Sequence, residues 1–71
     1  MKKQIMIEGM SCGHCVKHVQ NALSELAGVG NVTVDLKDKN AIVELTAEVS
    51  DADLKNVVEE AGYDVVSIVK L

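Results

Sequence analysis

Apolar residues along this chain change their spacing four times, and the order of those changes leaves few folds open. Residues 3–8 alternate, with Ile5 and Ile7 on one face and Gln4, Met6 and Glu8 on the other, the period of a half-buried strand. From about His14 the spacing becomes helical. Val16, Val19, Leu23 and Leu26 form one stripe, and Lys17, His18, Asn21 and Glu25 lie off it. Gly28 and Gly30 read as the end of that helix. Residues 31–36 alternate again, Val32, Val34 and Leu36 against Asn31, Thr33 and Asp35. After the polar stretch Lys37-Asp38-Lys39-Asn40, a second run sets Ala41, Val43 and Leu45 against Ile42, Glu44 and Thr46. Two such runs around a short polar loop predict a hairpin, with Asn40 suited to a positive φ. Ser50, with Asp53 three residues on, opens a second helix as an acidic variant of the capping box. Its stripe is Leu54, Val57, Val58 and Ala61, and Gly62 stops it. Residues 63–70 form a last strand whose Val65, Val66, Ile68 and Val69 are too continuous to name the inward face.

The order β-α-β-β-α-β predicts an α+β, ferredoxin-like sandwich: a four-stranded antiparallel sheet with two helices on one face. Right-handed crossovers place both helices together. At 71 residues the chain is expected to be a single domain spanning 1–71. A domain of this size buries only about 60% of its unfolded surface, so its core is thin.

Composition excludes several functions. Net charge is −4, and the seven basic residues are all dispersed lysines. A nucleic-acid surface needs clustered positive charge, so none is expected. Tyr63 is the only aromatic residue, which leaves no platform for stacking bases or sugars. No apolar run reaches about 18 residues, so no direct membrane insertion is expected. The N-terminus has no long apolar segment or small-residue cleavage site, which reads as a cytoplasmic chain without a signal peptide. In a reducing compartment its two cysteines are thiols.

Those cysteines stand in Gly9-Met10-Ser11-Cys12-Gly13-His14-Cys15, where the first strand gives way to the first helix. Three chemistries fit a Cys-x-x-Cys there. Thiol–disulfide exchange is one, because a helix N-terminus lowers a thiol pKa. Cys12-Gly13-His14-Cys15 is the active-site tetrapeptide of disulfide isomerases, but those oxidoreductases use a longer thioredoxin fold with a proline facing the pair. This chain has no proline. Structural zinc is the second. Zinc needs four ligands, whereas His14 and His18 are the only histidines and no second cluster exists. A transferable soft ion is the third. Two thiolates suit Cu(I) by softness, although thiolate sites also select zinc and Fe–S clusters, and a helix N-terminus stabilises the negative charge of a bis-thiolate–Cu(I) unit.

The segment from Gly9 to Cys15 closely resembles the GMxCxxC signature of heavy-metal-associated domains. The resemblance extends through the Leu26-Ala27-Gly28-Val29 turn to Ala61-Gly62-Tyr63, essentially the whole chain. Within that family the chain looks like the bacterial copper chaperones: a single domain with its own Met1, His14 before the second cysteine, and Tyr63 in the loop those proteins bring beside the metal. Eukaryotic copper chaperones typically carry Lys there, and zinc-transporting relatives often place Asp where this chain has Ser11. Periplasmic mercury-binding relatives carry a signal peptide. The resemblance implies a non-enzymatic carrier binding Cu(I) through Cys12 and Cys15. It also implies delivery to a copper-transporting P-type ATPase, with a metal-bridged homodimer as a further partner state. A mercury or zinc module and an excised N-terminal domain of a metal ATPase are the alternatives.

Neighbouring residues have a plain reading beside a functional one. Met10 has a soft sulfur, but in the family it packs into the core under the loop. His14 can meet the metal, though a histidine between two loop cysteines is expected to face solvent; Gly13 is counted with Met10, Ser11, His14 and Tyr63 among the residues near the site. His18 lies on a polar helix flank and reads as a surface residue. Tyr63 either donates to a thiolate and shields the ion, or is an ordinary half-buried tyrosine. Lys17 and the acidic group Asp51, Asp53, Glu59 and Glu60 read as solvated helix faces.

Overall fold

The computed structural model describes residues 1–10 and 13–71. In chain order the elements are β1 (Lys2–Glu8), α1 (Gly13–Ser24), β2 (Val29–Asp35), β3 (Asn40–Leu45), α2 (Asp51–Glu60) and β4 (Asp64–Lys70). The strands form one antiparallel sheet in the order β2-β3-β1-β4. This is the ferredoxin-like arrangement that the periodicities predict. No helix among the described residues is long and apolar enough to cross a membrane.

The core follows from the alternation. Ile5 and Ile7 of β1, Val32 of β2, and Ala41, Val43 and Leu45 of β3 all point to one side and are buried. Val19 and Leu23 of α1 and Leu54 and Val58 of α2 complete the same cluster, so both helices share one face of the sheet. Each fully buried aliphatic side chain contributes roughly 1.5–3 kcal/mol by leaving water. The opposite face is open, with Gln4, Met6 and Ile42 only half-covered. The seat of α2 is polar as well as apolar. The Lys3 ammonium donates to the Val49 carbonyl at 2.9 Å and to Asp51 Oδ1 at 2.7 Å, tying β1 to the start of that helix.

Helix ends show the expected chemistry for α2 and a shift for α1. Ser50 caps α2, its Oγ accepting from the Asp53 amide at 3.2 Å. At the other end the Tyr63 amide donates to the Val58 carbonyl and the Gly62 amide to that of Glu59, at 3.3 and 3.0 Å. This is a Schellman motif, and Gly62 supplies its left-handed residue at φ 101°. In contrast, α1 stops at Ser24, before either glycine. The Leu26 amide bonds to Leu23 rather than one residue further back, which tightens the chain into turns and leaves Leu26 half-buried below the helix. Gly30 lies within β2, where the pairing with β3 shifts between Val29 and Asn31. A Cβ there would come within 3.0 Å of the Thr46 side chain.

The hairpin turn sits one residue earlier than the alternation predicts, over residues 36–39. Leu36 sits in the turn and is 36% exposed, not on the inner face. The positive φ belongs to Lys39 (56°), not Asn40. Asn40 pairs with both Asp35 and Met6, and that double pairing holds it in extended geometry. Asp35 Oδ1 accepts from the Asp38 amide at 3.1 Å and nucleates the turn. In β4 the inward residues are Val65 and Ile68, while Val66 and Val69 are 60% and 48% exposed. Met6 pairs with Ser67 and Ile7 with Val65, so Val66 is a bulge that reverses the parity of the strand.

Candidate metal centre

The loop between β1 and α1 is anchored at its start. Gly9 has φ 98°, a conformation that side chains rarely adopt, and turns the chain out of the sheet. Met10 then points inward, 8% exposed and part of the core cluster. It is a packing residue, as expected. Met10→Ala is expected to destabilise the fold by about 2–3 kcal/mol, the lower end for a buried Met, because the flexible side chain is not completely enclosed. Urea unfolding monitored by circular dichroism checks this, and a loss below about 1 kcal/mol would contradict a core role.

Ser11 and Cys12 lie outside the described residues, so Cys15 is the sequence-predicted ligand whose surroundings are on view. It sits in the first turn of α1, half-buried, with its side chain against the core cluster. The first turn of α1 holds no carboxylate, whereas α2 begins with Asp51 and Asp53. The positive end of the α1 dipole is therefore left to whatever anion the loop supplies. Gly13 and His14 are exposed and, with Lys17, line an open surface depression. His14 thus faces solvent, as expected. Among the described residues, no three His, Cys, Asp or Glu side chains converge on one point.

Tyr63 is brought to this loop from the far end of the sequence. The Schellman motif at the end of α2 fixes its backbone, and its ring lies against Gly9. A Cβ built on Gly9 would be 3.6 Å from Tyr63 Cδ1. Its hydroxyl lies 3.5 Å from His18 Nδ1, one helical turn beyond Cys15. His18 is exposed, in keeping with a surface residue. Its contact with Tyr63, however, escaped the sequence reading. The two residues are 45 apart, and no local periodicity relates them.

Known proteins resemble this chain in sequence and in fold. The chain is 43% identical over 65 residues to the copper chaperone CopZ of Bacillus subtilis, covering 90% of this chain and 94% of that one. A solved CopZ metallochaperone superposes with a TM-score of 0.87 at 36% identity, covering 93% of this chain and all of the other. The N-terminal domain of a potential copper-translocating P-type ATPase from Bacillus subtilis, solved in its Cu(I)-loaded state, superposes with a TM-score of 0.82 at 32% identity. That match covers 90% of this chain and 81% of the other. The heavy-metal-associated domain pattern matches residues 4–64, from within β1 through the following loop and both helices to the first residue of β4. With strand order, loop position and sequence pattern all in agreement, the chain belongs to the heavy-metal-associated domain family.

Proposed function

We propose that this chain is a copper chaperone that carries Cu(I) on the thiolates of Cys12 and Cys15. The carrying observation is the position of Cys15: half-buried in the first turn of α1, backed by the core, with no acidic residue competing for the helix end. Cys12, the residue before Gly13 in the sequence, is the second ligand. Support comes from the copper-chaperone relatives, which match over most of this chain.

The carrier works by ligand exchange and is not an enzyme. A monovalent d¹⁰ ion accepts two thiolates, and an open loop lets an incoming thiolate add before either resident one departs. No electron moves, and the ion passes from one pair of sulfurs to another. Binding displaces the thiol protons, so affinity rises with pH until both thiols are ionised. The recipient we propose is the soluble domain of a copper-transporting P-type ATPase in the cytoplasm, a domain of the same fold in the relative described above. A second copy of this chain can supply thiolates in the same way, which gives a metal-bridged homodimer.

Anaerobic competition of Cu(I), Zn(II) and Hg(II) for the reduced protein, read by native mass spectrometry against a competing ligand, tests the cargo. One Cu(I) per monomer, retained against excess Zn(II), is the expected result. Preferential retention of Zn(II) would overturn the copper assignment. Hg(II) binds any dithiol tightly, so it must be ranked through its competitor.

A further inference from the structure

Helix α1 carries both histidines of the chain, His14 and His18, four residues apart within Gly13–Ser24. Residues so spaced lie one above the other on a single helix face, with Cβ atoms about 5–6 Å apart. Both are exposed. A site built on Cys12 and Cys15 uses neither. Yet a His-x-x-x-His pair on one helix face is an arrangement that holds zinc, each imidazole nitrogen about 2.0–2.1 Å from the ion.

Two observations at the pair favour a ligand there. His18 Nδ1 lies 3.5 Å from Tyr63 Oη, so one ring nitrogen faces a protein partner and Nε2 is the one left for a metal. Metal-binding histidines are commonly oriented in this way, through a partner on the other nitrogen. At His14 there is room for an ion and its waters. That residue lines an open depression with Gly13 and Lys17, and a Cβ on Gly13 would meet nothing within 4 Å. Lys17 is the cation beside it, and its flexible four-carbon stem lets the ammonium turn to water.

We propose that His14 and His18 form a second metal site, for a borderline divalent ion of the Zn(II) type, separate from the two thiolates. Imidazole suits Zn(II), whereas thiolate suits the softer Cu(I), so the two sites sort ions by ligand chemistry. Among the described residues, no third His, Cys, Asp or Glu side chain joins the pair. Water fills the remaining positions, which makes the ion exchangeable. The site does not depend on the copper reading.

The test uses the full chain with Cys12→Ser and Cys15→Ser, titrated with Zn(II) alone. His14 and His18 are the only histidines, so their ring proton resonances report the two ligands separately. Both are expected to shift along one saturation curve that ends at one Zn(II) per chain. His14→Ala and His18→Ala are each expected to weaken binding at least tenfold in calorimetry, since even loss of a group that only orients a ligand costs about 10–100-fold. The same two shifts are expected in the Cu(I)-loaded parent chain, where Zn(II) adds beside the copper without replacing it, so the outcome does not hinge on the folding of the serine variant. A shift of one histidine only, or undiminished affinity in either alanine variant, overturns the proposal. So does Zn(II) binding that needs Cys12 and Cys15 intact and unoccupied, because the ion then sits on the thiolates. Failure of the copper reading shows elsewhere, as undiminished Cu(I) affinity in Cys15→Ser.

Discussion

Replacing Cys15 by Ser is expected to weaken Cu(I) binding by well over a hundredfold while leaving the fold in place. Removing a group that merely orients a metal ligand costs about 10–100-fold, so removing one of two ligands must cost more. A serine hydroxyl is a hard, protonated oxygen at neutral pH and does not replace a soft thiolate. The side chain is half-buried and close to sulfur in size, so the change removes little packing. Cys12→Ser is expected to behave alike. Competition with a chromophoric Cu(I) chelator gives the affinity, and the circular dichroism melt gives the fold. Near-native affinity in either variant would refute a site built on the two thiolates.

Leu23→Ala is expected to bring the protein to the edge of unfolding. Leu23 is completely buried on α1 among residues of both helices and the sheet. Truncating such a leucine costs about 2–5 kcal/mol, through lost burial and the cavity left behind. A chain of this length has a total stability of only about 4–10 kcal/mol, so the variant forfeits a large share of it. Because the same helix holds Cys15 in its first turn, fold and site are linked. Saturating Cu(I) binds only the folded form and is expected to raise the midpoint of the variant. Thermal unfolding of the apo and loaded forms checks both halves. A loss of less than about 1 kcal/mol would mean that α1 is not seated by this residue.

The elements were legible because each depends on its own few residues. Ile5 with Ile7, and Ala41 with Val43, expose their strand periods locally, and their burial agrees. Ser50 and Asp53 announce the start of α2, and Gly62 its end. Met10 and His14 were also legible, one buried and the other exposed. The errors share a different origin. Gly30 reads as a helix stop because a glycine after a helix usually is one, yet the pairing of β2 with β3 uses it as a bulge residue. Asn40 is the better candidate for positive φ by residue type, but two neighbouring strands hold it extended and pass the strain to Lys39. The inward face of β4 could not be read at all, because an unpaired Val66 breaks its alternation.

What the sequence by itself determined is therefore the set of elements, their order, the side of the sheet that carries the core, and the two thiols at the start of α1. Periodicity and capping are short-range, and no distant residue is needed to express them. Only the tertiary structure decided which residue of β4 is skipped, that Lys3 reaches across to Asp51, and that Tyr63 lies between Gly9 and His18. Each of these is a contact between residues more than 40 positions apart or a register between two strands. Such relations come into being only when the sheet closes, so no window along the chain contains them.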